Sequence, residues 1–335
     1  MYMFKYVMKR LGLMLMTFFI IFVMCFILIK LLPFAVVPQP GMDPLITYKQ
    51  YEARGWITNI RPGPNNTYEY DIVPIFAQLI EYLKRIVTKL DFGDATTFKE
   101  YATQSVWAVF LEKLPPTILI NIYSTLIGVP IGLGLGIVAA LNKNKWIDQA
   151  VNIFVILIIS VPSIVLGILI QYFLCWKLNW FPQLMKTGYD YFTWDMFKSM
   201  LPAVFSLCLG SIAGYARFTR AELSEVLTSE FMLLARSKGL TKRQSITRHA
   251  IRNSMVVIFP AILSEFISVL SGSLIIEKIF GVPGVGGLYL SAINFQDVNF
   301  FMLLSGFYTL VGLTAGIVVD ISYGFIDPRI RMGAK

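Results

Sequence analysis

The sequence predicts an all-α integral membrane protein with six transmembrane helices. Of its 335 residues, 56% are hydrophobic and 15% are charged, with a mean hydropathy of +0.66. Soluble domains carry about a quarter charged residues, so this deficit points to a bilayer as the solvent. Six apolar segments come near the roughly 20 residues that cross a membrane; they run over 11–32, 117–141, 150–174, 200–216, 254–277 and 300–326. Lys and Arg also gather in alternate connections, the asymmetry that sets orientation. Lys5, Lys9 and Arg10, then Lys143 and Lys145, then the stretch from Arg217 and Arg220 to Arg248 and Arg252, and finally Arg329, Arg331 and Lys335 belong inside. The opposite short connections hold Lys177, Lys186, Lys198 and Lys278. Both termini are therefore expected to be cytoplasmic.

The first apolar run is about 22 residues long and no small-x-small pattern follows it, so it reads as a retained span rather than a signal core of about 7–15 residues. Lys30, at its outer end, is expected to snorkel to the interface. Residues 33–116 form a long extracytoplasmic segment. Its first part, 33–73, is rich in Pro, Gly, Asn and Tyr and reads as loop. Beyond it Ile75, Phe76, Leu79, Ile80, Leu83, Ile86, Val87 and Leu90 recur at helical spacing, with Glu81, Lys84, Arg85 and Lys89 between them. That pattern predicts an amphipathic helix, suited to the outer membrane surface or to packing on other outer loops. In the second span Gly128, Gly132 and Gly136 recur every four residues, which lets helix backbones approach closely. Gly132, Gly134 and Gly136 are no nucleotide loop, because they sit inside an apolar helix and follow no strand. The fourth span is the weakest, interrupted by Pro202 and Gly210. The expected organisation is 1–32 as N-terminus and first span, 33–116 as outer segment, 117–326 as the membrane core including a cytoplasmic segment 217–254, and 327–335 as tail.

Several functions are excluded. The net charge of +9 sits between apolar runs, which suits anionic membrane lipid and offers no nucleic-acid motif. Cys25, Cys175 and Cys208 lie in or beside apolar runs, and His249 is the single histidine. A structural zinc site needs about four close Cys or His ligands, so no metal is expected. There is no G-x-x-x-x-G-K-[ST] to cradle ATP phosphates.

The informative stretch is 217–254. Ser229 stands where a helix N-cap belongs, Gly239 where a left-handed residue ends a helix, and Thr241 with Gln244 has the form of a capping box. The expected product is a short helix, a glycine break and a second helix that runs through Arg248 and Arg252 into the fifth span. The short helix is expected to expose Phe231, Leu234 and Ala235 beside Arg236 and Lys238, for docking on a cytoplasmic partner or for lying on the anionic leaflet.

This stretch resembles a known family. Glu230-Phe231-Met232-Leu233-Leu234-Ala235-Arg236-Ser237-Lys238-Gly239-Leu240, followed by Arg248-His249-Ala250-Ile251-Arg252-Asn253, is similar to the EAA-type loop of bacterial ABC importer permeases, in the B-type subunit of the oligopeptide/dipeptide/nickel branch. Leu114-Pro115-Pro116-Thr117, Ser160-Val161-Pro162-Ser163, Leu201-Pro202-Ala203 and Tyr215-Ala216-Arg217-Phe218-Thr219-Arg220 resemble motifs of its second, third and fourth spans. Glu277-Lys278-Ile279-Phe280-Gly281-Val282-Pro283-Gly284-Val285-Gly286 resembles its E-x-x-F-x-x-P-G-x-G stretch, and Asp320 with Asp327-Pro328-Arg329-Ile330-Arg331 its ending. Three features depart from it: the outer segment is longer than usual, Leu90-Asp91-Phe92-Gly93 stands in place of a G-D-x-G element, and Phe231 and Met232 replace the small residues of the EAA-type segment.

The resemblance implies a type I ABC importer fold and a permease of the bacterial cytoplasmic membrane. It implies a C-type permease as heterodimer partner, two ABC ATPase subunits that bind the ATP and Mg, and an extracytoplasmic peptide-binding protein. Peptides are the implied cargo, and this chain is a non-catalytic subunit with no cofactor of its own. Glu230, Phe231, Leu234, Ala235, Arg236, Lys238, Gly239 and Leu240 would couple it to the ATPases, with Arg248, Arg252 and Asn253 in loop packing. Glu265, near the middle of the fifth span, is the candidate for the translocation path, since intramembrane carboxylates face cavities or partners; the alternative is a carboxylate bonded to Ser264 or Ser268. An ion-coupled secondary transporter would want paired acids and an internal repeat and would leave 217–254 unexplained. An intramembrane enzyme has no histidine at membrane depth, and a simple anchor needs no such loop.

Overall fold

The computed structural model describes residues 2–33, 35–36, 43–64, 68–101, 104–188 and 190–326. The basic tail residues Arg329, Arg331 and Lys335 lie outside the described residues. The chain divides into two compact units. One comprises Met1–Leu11, Leu114–Gly287 and Val311–Lys335; the other comprises Gly12–Lys113 and Leu288–Leu310.

Among the described residues, five helices are long and apolar enough to cross a membrane: Val7–Lys30 within α1 (Tyr2–Lys30), α4 (Val106–Leu141), α7 (Trp194–Leu227), Lys242–Ser271, and Val298–Gly324 within α13 (Val298–Ile326). The sixth span is a broken one. Helix α5 (Trp146–Ser160) and the stretch Ser163–Lys177, which begins with α6 (Ser163–Ile170), meet at 101°. Pro162 causes the break: it has no N–H to continue α5, and the residue before it, Val161, is extended (φ −87°, ψ 126°).

Span four reaches well beyond the predicted 200–216. Pro202 falls early in α7 and does not stop it, and Thr193 caps its start by accepting from the Met196 N–H. At 34 residues and about 1.5 Å per residue, α7 outruns a hydrocarbon core of about 30 Å. Its last turns, with Arg217, Arg220, Glu222 and Glu225, continue the helix past the apolar run. The glycines of span two are where α4 meets α7. A Cβ on Gly132 would lie 2.8 Å from the Ile212 carbonyl oxygen and the Tyr215 Cβ, and one on Gly136 2.6 Å from the Thr219 Cβ. Gly132→Leu is expected to cost at least the ~1–3 kcal/mol typical of overpacking, read as a lowered Tm in detergent beside an unaffected Gly134→Ala, whose Cβ would meet open space.

In the second unit, 33–73 holds more structure than a loop. It contains α2 (Pro44–Ala53) and an antiparallel ribbon of β1 (Ile57–Pro62) and β2 (Tyr68–Ile72), paired from Ile57–Ile72 to Pro62–Tyr68 with a register shift between Thr58 and Arg61. The strands are short, and alternation shows in little more than Tyr68 and Tyr70, so turn-forming residues mask them in sequence. Helix α3 (Ile75–Lys89) is the predicted amphipathic helix. Its Leu79 and Tyr82 join Phe22, Phe26 and Ile29 of α1, Tyr48, Tyr51 and Trp56 in one core. Lys30 does not simply snorkel: its Nζ lies 3.3 Å from the Trp56 ring centroid, a cation–π contact. Asp297, fully buried, caps α13 through the Phe300 N–H (3.2 Å). It also accepts from the N–H groups of Thr96 (2.6 Å), Thr97 (2.9 Å) and Phe98 (3.4 Å).

Candidate functional site

The loop between spans four and five forms as a rigid elbow. Helix α8 (Glu230–Ser237) follows α7 after two residues. Ser229 occupies its N-cap position, yet its hydroxyl donates back to the Val226 carbonyl and caps nothing. Gly239 follows with φ +88°, where a Cβ is disfavoured. At Thr241 both halves of the capping box are present: Thr241 Oγ1 accepts from the Gln244 N–H, and Gln244 Oε1 from the Thr241 N–H. From Lys242 the chain is helical to Ser271, so the elbow has no slack joint on its span-five side.

Helix α8 has two faces. Met232 and Ala235 are buried, and Met232 packs with Leu223 of α7, Ala140 of α4 and Ala250. Glu230, Phe231, Leu234, Arg236, Lys238 and Gly239 are exposed, and Leu240 is half-buried. The expectation that Ala235 is exposed is corrected: three residues on from Met232, it shares the inward face. Leu233, 65% exposed, takes its place on the outer face, and strict helical phasing from Met232 would have found it. Arg248, Arg252 and Asn253 are exposed rather than packed into the loop, whose interior is filled by Ser245 and Ala250. His249 is half-buried.

Spans four, five and six enclose a cleft of about 600 Å³ lined by Ser211, Tyr215, Phe218, Ser264, Glu265 and Tyr323 among others. Glu265 faces this cleft. Its Oε1 accepts from Ser211 Oγ of α7 at 2.7 Å, whereas Ser268 Oγ bonds the Ser264 carbonyl within its own helix. The serine partner therefore comes from a neighbouring span rather than from the two predicted.

Three further polar centres hold these spans. Asp148, at the start of α5, is buried and receives the Arg220 guanidinium of α7 through Nε and Nη2 (2.8 Å to Oδ2). It also accepts from the Asn144 N–H (3.0 Å) and Asn152 Nδ2 (3.1 Å). Asp320, near the C-terminal end of span six, pairs with Arg10 at 3.0 Å.

The third centre is the E-x-x-F-x-x-P-G-x-G stretch. Helix α11 (Leu274–Ile279) presents Glu277 to the interior, fully buried. Its Oε1 accepts from Thr117 Oγ1 (3.1 Å) and its Oε2 from the Gly286 N–H (2.8 Å), while Thr117 Oγ1 accepts from the Val285 N–H (2.9 Å). Gly272, Gly284 and Gly286 press against the carboxylate, and a Cβ on any of them would collide with Glu277. The spacing of these glycines is thus set by one side chain. Burial pushes the carboxyl up to about 7, against the pull of the surrounding donors. A glutamate six residues before Pro-Gly-x-Gly was the available signal, but its partner Thr117 is 160 positions away.

Residues 132–332 match the sequence profile of the binding-protein-dependent transport system inner membrane component. Among curated relatives, the chain is 30% identical to the dipeptide transport system permease protein DppB of Lactococcus lactis, over 98% of this chain and 99% of that one. It is 31% identical to the DppB of Bacillus subtilis over 99% of each chain. It is 31% identical to the oligopeptide transport system permease protein OppB of Salmonella typhimurium over 77% of this chain and 81% of that one. Among solved structures, a chain from the crystal structure of an amino acid ABC transporter with histidines superposes with a TM-score of 0.51 at 20% identity, covering 65% of this chain and 94% of that one. The ion-coupled alternative finds no support in these likenesses. With the profile covering more than half of the chain and full-length relatives on either side of it, this multi-pass inner-membrane protein belongs to the family of binding-protein-dependent transport system inner membrane components, the permeases of ABC importers.

Proposed function

We propose that this chain is the B-type permease subunit of an ATP-driven importer that moves oligopeptides or dipeptides across the bacterial cytoplasmic membrane by alternating access. The observation that carries this reading is the two-faced helix α8: one side wedged against α7 and Ala250, the other an exposed patch of Phe231, Leu233 and Leu234 rimmed by Glu230, Arg236 and Lys238. The relatives named as dipeptide and oligopeptide permeases support the choice of cargo. Both termini and α8 lie inside, as the Lys and Arg distribution requires.

In this reading α8 seats in one of two ATPase subunits, which bind and hydrolyse ATP with Mg. A C-type permease completes a heterodimeric pathway, and an extracytoplasmic peptide-binding protein delivers cargo. Closure of the ATPases displaces α8. Met232 and Ala235 transmit the displacement to α7, and the unbroken helix Lys242–Ser271 carries it to the same cleft wall. Only a difference in partner contacts between the two states drives such a shift. Glu265 lines the pathway, where its carboxylate suits a peptide ammonium group.

The test is co-purification from gently solubilised membranes with Leu234→Glu. Leu234 is exposed, so folding should change by no more than ~0.5 kcal/mol. The expected result is loss of the ATPases and of ATP-dependent peptide uptake, with the second permease retained, as when 230–239 is replaced by a Gly/Ser linker. A chain that purifies alone in its unmodified form, or a Leu234→Glu variant that keeps its ATPases, overturns the reading.

A further inference from the structure

Helix α3 is apolar on two sides. Leu79 and Tyr82 point into the core of the second unit. On a different face Phe76, Ile80, Val87 and Leu90, at the tip of the helix, form a stripe in which every side chain is more than two-thirds exposed. Spacings of four and seven residues keep Phe76, Ile80 and Val87 within one face of the helix, and Leu90 follows as its left-handed C-cap residue. Contiguous apolar patches of this kind are rare on surfaces that meet only water, so something covers the stripe.

The level of the helix identifies what does. Tyr82, in its middle, packs on Phe26 with ring centroids 5.3 Å apart. Phe26 lies four residues inside the end of the first span, about 6 Å below that end at 1.5 Å per residue. Just past the helix, Phe92 stacks on Trp107 at 6.3 Å and 10° between planes. Trp107 is half-exposed on the first turn of the second span, and tryptophan favours the membrane–water interface. The helix is thus tied at its middle and at its end to the rims of two spans. Leu28 of α1 and Leu31 just after it, at the same rim, are also exposed. Lys84 and Lys89 are exposed on α3, and its four charged residues, Glu81, Lys84, Arg85 and Lys89, sum to +2.

We infer that α3 is an interfacial helix: Phe76, Ile80, Val87 and Leu90 enter the leaflet beside the first two spans, and Lys84, one turn on from Ile80, meets anionic lipid headgroups. Such helices bury their apolar face about 5–10 Å into the headgroup–acyl boundary. The extracytoplasmic unit of this chain then rests on lipid, and its ribbon and α2 are held at a fixed height above the membrane.

The test uses the assembled transporter in vesicles of phosphatidylglycerol and phosphatidylethanolamine. Bimane is attached in turn at Ile80→Cys, Val87→Cys and Thr88→Cys, with the unsubstituted chain as the labelling background. The expected result is a blue-shifted emission at 80 and 87, quenched by lipid carrying a shallow doxyl group and not by aqueous iodide. Thr88, exposed off the stripe, should show the reverse. Quenching of 80 and 87 by iodide overturns the inference. So does protection of these positions that persists in lipid-free detergent when the second permease or the binding protein is bound, since the occupant would then be a protein. Because the readout is depth, it is independent of whether the complex transports peptides.

Discussion

Glu277→Ala is expected to release the 272–287 stretch from the second span and to lower stability by about 3–5 kcal/mol. The substitution strands the Thr117 hydroxyl and the Gly286 N–H in a buried site. Each unsatisfied buried donor costs about 1–3 kcal/mol, and a cavity adds to that. Gly284→Ala should approach the same loss from the other side, because its Cβ would collide with both Glu277 and Thr117.

The pH dependence gives a sharper check. The folded carboxyl sits at about 7, above its ordinary value of 4.5. Between these two values the folded chain holds a proton that the unfolded chain has released, so stability falls as pH rises through that window. Below it both states are protonated, and above it both are ionised. The total change is about 3 kcal/mol for a shift of this size. Thermal unfolding in detergent should therefore show Tm decreasing from pH 5 to pH 7.5. Glu277→Gln, which is neutral throughout, should flatten that slope. A slope of equal size in the Gln variant would mean that another group carries it.

Arg220→Met is expected to be nearly as damaging, for the opposite electrostatic reason. It leaves Asp148 buried and charged with the Asn144 N–H and the Asn152 amide as its remaining donors. Breaking one partner of a buried pair costs about 3–5 kcal/mol, whereas removing both for apolar residues is often neutral. The double variant Asp148→Leu, Arg220→Met should thus recover much of the lost Tm, and the double-mutant cycle gives the pair energy. Arg220 also stands two turns before the end of α7, on the helix that leads into α8. If the importer reading holds, Arg220→Met complexes that survive should hydrolyse ATP with little peptide uptake. Uptake that falls only in proportion to the amount of folded complex would confine the pair to stability.

What was legible in the sequence was local. Apolar runs located the spans, though the helices of spans two, four and five run well beyond the predicted bounds. Gly239 and the Thr241–Gln244 box are chemical instructions written within five residues of each other, and both formed. The four-residue repeat of Gly128, Gly132 and Gly136 announced a helix contact, though not that α7 was the partner. The extent of α7 was hidden because hydropathy measures the membrane, and a helix need not end where the membrane does. The ribbon at 57–72 was hidden because its strands are too short for alternation to outweigh their turn-forming residues.

By itself, then, the sequence determined a six-span membrane protein with a capped, rigid elbow before its fifth span, because spans and caps depend on neighbours along the chain. Only the tertiary structure decided that Met232 is the inward residue of α8, that Glu265 answers to Ser211, and that three glycines press against Glu277. Thr117 and Glu277, or Asp148 and Arg220, are 160 and 72 residues apart. No pattern in one chain pairs such residues; they are selected when packed helices exclude water and each buried polar group must find its partner within reach.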